Sequence, residues 1–154
     1  MNTLQSQLSE YQAGFKQRAA PARVAMMEAA TAQLRASGIE DKALPLGAPV
    51  PNVSLTDALG NTVGLKSLHG GKPTVIIFYR GGWCPYCNLE LREWQRLLPE
   101  LQSSGAQLVA ISPQLPDNSL DTSQKNELAY PVLSDSSLAA ANAFGIAFEL
   151  PPEL

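Results

Sequence analysis

The 154-residue sequence predicts an α/β fold in which helices cover a parallel sheet and a helical extension comes first. Three observations predict it. Apolar runs alternate with helical patterns from residue 74 to residue 144, as in parallel strands joined by right-handed crossovers. Two further helical patterns precede residue 44. The two cysteines of the chain, Cys84 and Cys87, lie where the first apolar run changes into a helix.

The composition limits the class of protein and its partners. The length suits one domain, and 45% hydrophobic residues are enough for a core. A formal net charge of −3 without a basic run argues against a nucleic acid or an anionic membrane as partner. No apolar stretch approaches the length of about 18 residues that a membrane span needs. We expect no signal peptide, because the first residues lack a charged region followed by an apolar one. With both cysteines in one motif, a reducing cytoplasm is favoured.

Residues 1–44 are predicted to form the helical extension, and residues 45–154 the α/β domain. Apolar side chains recur on one face of the first helix: Leu4, Leu8, Tyr11 and Phe15. Pro21 suits the first turn of a second helix, and Gly38 suits its C-terminal cap. We expect the extension to pack on the domain, with a partner-binding or dimerisation arm as the alternative. The proline-rich segment 44–51 is predicted to be an extended linker.

The α/β domain is predicted to begin with a hairpin over 52–57 and 61–65. A turn-rich loop with His69 follows, in which a solvated histidine is favoured over a general base. The run 74–79 is apolar on both faces, as expected for a central strand of a covered sheet.

The helix after the cysteines has one apolar stripe and one polar face. The stripe consists of Leu91, Trp94, Leu98 and Leu101, and the face of Arg92, Glu93, Gln95 and Arg96. The remaining pattern predicts a strand, a loop, a helix, a strand and a helix: 106–111, 112–117, 120–128, 130–134 and 135–144. Because sites in parallel sheets lie at the carboxyl ends of strands, the cysteines stand where a site is expected.

The motif Trp83-Cys84-Pro85-Tyr86-Cys87 follows a short hinge, Arg80-Gly81-Gly82. A helix N-terminus offers free N–H groups and partial positive charge, so a Cys-X-X-Cys pair there can have a lowered thiol pKa. The pair is close enough in sequence to form a small disulfide ring, and dithiol redox chemistry is the favoured function. Buried structural cysteines, a zinc site completed by a second chain and a structural disulfide are the weaker alternatives. We expect no cofactor and no bound metal.

Residues 78–91, which contain this motif, resemble the thioredoxin-fold superfamily. More closely, they resemble the peroxiredoxin-like branch of the alkyl hydroperoxide reductase/thiol-specific antioxidant family. Segments 109–114 and 130–135 add to the resemblance, which covers roughly 45–150. It implies a three-layer thioredoxin-like fold and a thiol-dependent oxidoreductase that reduces hydroperoxides. It also implies a hydroperoxide or disulfide substrate and a thioredoxin- or glutathione-type reductant. Cys-Pro-Tyr-Cys is also the glutaredoxin motif, so a dithiol–disulfide oxidoreductase is the alternative.

The resemblance leaves two assignments of the cysteines open. Aligned with the family's peroxidatic motif, Cys87 takes the peroxidatic position, with Cys84 in place of a threonine and Arg80 in place of a proline. A thioredoxin-type assignment instead makes Cys84 the exposed nucleophile and Cys87 the resolving thiol.

Four neighbours of the cysteines are candidates for supporting roles. Arg80 would stabilise a thiolate or a peroxide oxygen, or else be a surface residue. Trp83 would shield the sulfurs or form a docking face, with core packing as the alternative. Pro85 would stiffen the ring. Glu90 would relay a proton, although a solvated carboxylate is the commoner role.

The family also implies a C-terminal hairpin, begun by a cis-proline, and a final helix that this sequence lacks. We therefore expect an incomplete domain in which strand 74–79 is an open edge. An open apolar edge predicts a homodimer, a strand-swapped assembly or poor solubility. An inactive interaction module is the third candidate function.

Overall fold

The computed structural model describes residues 3–151, which form one five-stranded sheet with helices on both faces. The strands are β1 (Ser54–Thr56), β2 (Thr62–Gly64), β3 (Thr74–Phe78), β4 (Gln107–Ser112) and β5 (Val132–Ser134). The helices are α1 (Leu4–Arg18), α2 (Pro21–Ala36), α3 (Leu65–His69), α4 (Pro85–Ser103), α5 (Pro116–Lys125) and α6 (Ala139–Ala143). The spatial order of the strands is β2-β1-β5-β4-β3, which confirms the α/β class.

The pairing of the strands follows the sequence prediction. β4 lies parallel to β3 and to β5, with Ile76 opposite Val109 and Ala110 opposite Val132. The hairpin is antiparallel, and β1 also pairs antiparallel with β5 at Thr56. The carboxyl ends of β3, β4 and β5 therefore lie together at one end of the sheet. The chain turns from β3 into α4 at this end.

Strand β4 carries the two halves of the core on its opposite faces. Leu108 and Ala110 pack against α4 and its fully buried Leu91. Val109 and Ile111 point to the other face and pack with Leu65 of α3 and with other buried residues. Because side chains alternate along a strand, β4 supplies apolar surface to both layers, which gives the three-layer arrangement.

Strand β3 lies at the edge of the sheet, which confirms the open edge expected from the family resemblance and not the central position that its apolar pattern favours. In residues 3–151 it pairs with β4 alone, and most of its side chains are only partly buried. Apolar residues on both faces show that a strand is covered by helices on both sides, but they carry no information about its neighbours in the sheet. The interior strands β5 and β4 have the most deeply buried side chains of the sheet.

Three other elements differ from the sequence prediction. α5 starts at Pro116 instead of residue 120, because proline suits the first position of a helix. α6 is short, since the Asp135 carboxylate accepts hydrogen bonds from the backbone N–H groups of Ala140 and Ala141 and so caps the helix. His69 ends the short helix α3 instead of lying in a loop.

The helical extension contacts the domain at two places. α1 packs against α4, and the ring of Tyr11 meets the ring of Tyr86 edge to face at 5.1 Å. After a 3₁₀ turn over Ile39–Lys42, the backbone N–H of Leu44 donates to the Phe144 carbonyl at 2.9 Å. The domain division at residue 44 stays a prediction. Between residues 3 and 151, every helix is too short or too polar to cross a membrane.

The second contact predicts that Gly145→Ala destabilises the protein more than Gly47→Ala. Both glycines have positive φ, 67° and 83°, a region that an alanine adopts at a cost of roughly 1–2 kcal/mol. Only at Gly145 would the new methyl group collide with the Lys42 carbonyl, while Gly47 faces open space. We expect the free energy of unfolding in urea to fall by about 2 kcal/mol more for Gly145→Ala. Equal losses in the two variants would contradict the docking of the extension.

Candidate active site

The two cysteines lie at the N-terminus of α4, directly after β3, as the sequence predicted. Cys84 is the N-capping residue, and its Sγ accepts a hydrogen bond from the backbone N–H of Cys87 at 3.4 Å. Pro85 is the first helical residue. A backbone N–H at this position has no partner within the helix, so proline, which lacks the N–H, fits there without losing a hydrogen bond. This sequence therefore starts a helix at Cys84 and uses a sulfur as the cap.

The two sulfurs differ in accessibility, and the difference is opposite to the thioredoxin-type expectation. Cys84 is only 3% exposed, whereas Cys87 is partly exposed, and both are free thiols. The expectation of an exposed Cys84 was wrong because the capping side chain folds back over the first turn towards the Cys87 backbone. Of the two sulfurs, Cys87 is the more open to a substrate.

The environment of Cys87 favours its neutral thiol. Burial raises the pKa of Cys87 to about 11, and a hydrogen bond to the Cys84 thiol acts in the same direction. The backbone N–H of Arg80, which donates to Cys87, and the Arg80 charge lower the pKa but do not outweigh these two effects. At neutral pH the dithiol form therefore carries a proton on Cys87.

The hinge before the cysteines requires glycine at both positions. Gly81 has a φ of 152°, and a Cβ there would lie 2.5 Å from Trp83 Nε1. A Cβ on Gly82 would collide with the Thr122 hydroxyl of α5. The Gly82 N–H donates to Gln114 Oε1 at 2.8 Å, so the loop after β4 holds the hinge directly.

Arg80 and Trp83 form an exposed pair beside the hinge. The guanidinium carbon of Arg80 lies 4.8 Å from the centroid of the Trp83 ring, in the range of a cation–π contact. Trp83 is 64% exposed, so its interpretation as a core residue was wrong. The pair borders an apolar groove of about 380 Å³, whose walls include Phe78, Ile111, Leu138, Ile146 and Phe148. Neither cysteine lines this groove.

Two other candidates lie in different parts of the fold: the backbone next to His69 is at the start of β4, and Glu90 is three residues after Cys87 on α4. Leu68, next to His69, accepts a hydrogen bond from Gln107 at the start of β4, whereas the cysteines follow the carboxyl end of β3. The Glu90 charge instead adds to burial and to Tyr79 in raising the pKa of Tyr130 well above its usual range. In the described part of the chain, no three side chains of histidine, cysteine, aspartate or glutamate gather as metal ligands.

The sequence analysis missed three polar residues at the site: Asn88, Gln114 and Asn126. Asn88 is buried and donates from Nδ2 to the carbonyls of Gly82 at 2.8 Å and Cys84 at 3.0 Å. Asn126 donates to Asn88 Oδ1 at 2.8 Å. For Asn88 the sequence offered one indication: it is an uncharged amide four residues after Cys84, and residues four apart lie on the same face of a helix.

Comparison with known proteins gives consistent matches for this part of the chain. The model of the AhpC/TSA family matches residues 46–152. The crystal structure of peroxidoxin BcpB from Mycobacterium tuberculosis superposes with a TM-score of 0.64 and 28% identity, covering 68% of each chain. The bacterioferritin comigratory protein of Xanthomonas campestris, which has alkyl peroxide reduction activity, superposes with a TM-score of 0.59 and 28% identity over 63% of this chain and 61% of its own.

A third relative has a different name. The thiol-disulfide oxidoreductase ResA of Halalkalibacterium halodurans is 26% identical over 101 residues, or 65% of this chain and 56% of its own length. The chain spans about three fifths of the length of the curated relatives that it matches, for example 62% of a Mycobacterium tuberculosis relative named as a putative peroxiredoxin.

The contact between the two thiols predicts that Cys84→Ala lowers the pKa of Cys87 below about 11. The substitution removes the hydrogen bond and the like charge of Cys84, while burial of Cys87 remains. The measurement is the pH dependence of iodoacetamide alkylation of Cys87, followed by peptide mass. Cys84→Ser, which keeps a hydrogen-bonding group, is the matched control and should shift the midpoint less. A midpoint unchanged in Cys84→Ala would show that burial alone sets this pKa.

Proposed function

Because the chain belongs to the AhpC/TSA family and has its thioredoxin-like fold, we propose that it is a thiol-dependent oxidoreductase that reduces hydroperoxides. The redox pair is Cys84 and Cys87. One observation carries the proposal. Cys87, in the first turn of α4, is the more exposed of the two cysteines, and its sulfur accepts a hydrogen bond from the backbone N–H of Arg80. The alkyl peroxide reduction named for the Xanthomonas campestris relative supports the same chemistry.

In this mechanism Cys87 attacks the peroxide. Its thiol first loses its proton, the thiolate bonds to the terminal oxygen, and the O–O bond breaks. The alkoxide takes up the released proton and leaves as the alcohol, and Cys87 becomes a sulfenic acid. The thiol of Cys84 then attacks the Cys87 sulfur and releases water, which closes the disulfide. Two electrons, supplied by one thioredoxin-type dithiol or by two glutathione-type thiols, reopen the ring.

The neighbouring side chains have supporting roles in this mechanism. The backbone N–H and the charge of Arg80 both favour the thiolate form of Cys87. They would also stabilise the negative charge on the peroxide oxygen that leaves next to Cys87. Trp83, exposed beside Arg80, offers an apolar face on which a substrate or a reductant can dock. Pro85 lies between the two cysteines and stiffens the ring that they form.

A second candidate, a dithiol–disulfide oxidoreductase, makes Cys84 the nucleophile. The observation that favours it is the position of Cys84 as N-cap, with the Cys87 N–H donated to its sulfur. A helix N-terminus stabilises a thiolate, and one relative is named as a thiol-disulfide oxidoreductase. The burial of Cys84 counts against it, because a large disulfide substrate has to reach that sulfur.

The location and the assembly of the protein are also proposals. The cytoplasm suits a pair of thiols that must be returned to the reduced state after each turnover. The outer edge of β3 is unpaired in residues 3–151, and an unpaired edge is a template for a second copy. We therefore propose a homodimer formed edge to edge or by strand exchange.

One equivalent of hydrogen peroxide distinguishes the candidate functions. We expect the wild type to lose two hydrogens by forming the disulfide, and Cys84→Ser to form a sulfenic acid on Cys87 that dimedone traps. Cys87→Ser should react no faster than free cysteine. Since the pKa of Cys87 is about 11, its thiolate fraction and hence the rate in the wild type should rise about tenfold per pH unit between about pH 7 and 9. Mass spectrometry measures each product.

The opposite results have specific meanings. A sulfenic acid on Cys84 in Cys87→Ser, with no reaction of Cys84→Ser, would reverse the assignment of the two cysteines. No reaction in any variant, together with reduction of a mixed disulfide by the wild type, would favour the second candidate. The absence of both reactions would leave the inactive interaction module.

Light scattering tests the proposed homodimer. Over a range of protein concentrations, the weight-average mass should rise from that of one chain to that of two, because association through an edge follows mass action. A mass that stays at one chain at the highest concentration would contradict association through β3.

A further inference from the structure

A line of hydrogen bonds runs through the protein from a surface cation to the turn that holds the cysteines. The exposed Arg92 donates from its guanidinium to Asn126 Oδ1 at 2.8 Å. Asn126 donates from Nδ2 to Asn88 Oδ1 at 2.8 Å, and Asn88 donates from Nδ2 to Gly82 and Cys84. Both amides are buried, with 6% of Asn88 and 4% of Asn126 exposed. The mechanism above uses neither of them.

We propose that Asn88 is a positioning residue of the redox pair, which holds the backbone of Cys84 so that the two sulfurs stay within reach of each other. The proposal rests on the proposed function in one respect, namely that Cys84 and Cys87 form a reversible disulfide. It adds a buried residue that acts through the backbone of Gly82 and Cys84.

The contacts of Asn88 are concentrated on the residues that set the position of the Cys84 sulfur. The Cys84 carbonyl accepts two hydrogen bonds from Asn88, one from the backbone N–H at 3.1 Å and one from the side chain at 3.0 Å. The Gly82 carbonyl accepts the other side-chain N–H at 2.8 Å, while its own N–H donates to Gln114. A glycine hinge has unusual conformational freedom, and these contacts remove it next to Cys84.

The partners of Asn88 determine which end of its amide faces the turn. Its Oδ1 is occupied by Asn126, whose own Nδ2 also donates to the Thr122 carbonyl at 3.0 Å. A reversed Asn88 amide would place an oxygen against two carbonyls and an N–H against another N–H, which is unfavourable in a buried site. Every donor in the line points from Arg92 towards Cys84, an arrangement in which successive hydrogen bonds strengthen one another.

The consequence is a higher effective concentration of one thiol near the other. In the exchange reaction, the dithiol and one glutathione disulfide give the protein disulfide and two molecules of glutathione, so two electrons pass to glutathione. The equilibrium constant depends on how often the two sulfurs adopt bonding geometry. Loss of the Asn88 contacts widens the positions open to Cys84 and lowers this constant.

The experiment measures this equilibrium constant in a glutathione redox buffer for five proteins. Asn88→Ala is expected to lower it about tenfold, which corresponds to about 30 mV. Asn88→Asp keeps the volume but loses both donors, and should lower it at least as much. Asn126→Ala leaves Asn88 in place without its orienting partner, so a smaller decrease of about threefold is expected. The wild type is the reference.

The matched control is Ser119→Ala. Ser119 is fully buried, and its hydroxyl shares a 2.8 Å hydrogen bond with Ser134, so the variant also loses a buried side-chain hydrogen bond. It should lose stability in urea but keep the wild-type equilibrium constant. A purely structural role for Asn88 would give the same pattern in Asn88→Ala as in Ser119→Ala.

Each outcome counts for or against a specific statement. A wild type that forms no disulfide in the buffer overturns the redox pair and with it both proposals. A wild type that forms one, with an unchanged constant in both Asn88 variants, overturns the positioning role alone. If the Asn88 variants do not fold, Asn126→Ala decides: a lowered constant supports the role, and an unchanged constant overturns it.

Discussion

Helix α4 packs across one face of the sheet through its fully buried Leu91, and this packing determines where its N-terminus stands. β3 packs against α4 in the same core, and only residues 79–84 connect the two elements. The chain therefore has to turn sharply between them. The glycine hinge makes that turn, and Cys84 caps the helix with its sulfur. The positions of both cysteines therefore depend on a hydrophobic core, against which Cys87 itself packs.

The two cysteines differ in what they do in the structure: Cys87 is partly exposed, whereas Cys84 caps helix α4. Cys87 is partly exposed, yet burial and the Cys84 thiol raise its pKa and keep it protonated at neutral pH. Cys84 accepts the N–H of Cys87 but lies almost wholly inside the protein. The two thiols thus act as a unit, in which the state of one changes the ionisation of the other.

Elements distant in sequence complete the surroundings of the pair. The loop after β4 contributes Gln114 to the hinge, and α5 contributes Asn126 to the amide that holds Cys84. The helical extension contributes Tyr11, whose ring contacts Tyr86 between the two cysteines. Several groups around the cysteines lie outside the motif, so the motif describes the reactive atoms but only part of what holds them.

The sequence by itself determined the features that depend on local periodicity and on backbone chemistry. These are the hairpin, the parallel strands, the apolar stripe of α4 and the cysteine pair at a strand–helix junction. Only the tertiary structure decided that Cys84 is buried, that Trp83 is exposed, and that Asn88 meets Asn126, 38 positions away. The physical reason is that alternation and helical spacing record which face of an element is apolar. They do not record which element covers that face, or which distant polar group satisfies a buried amide.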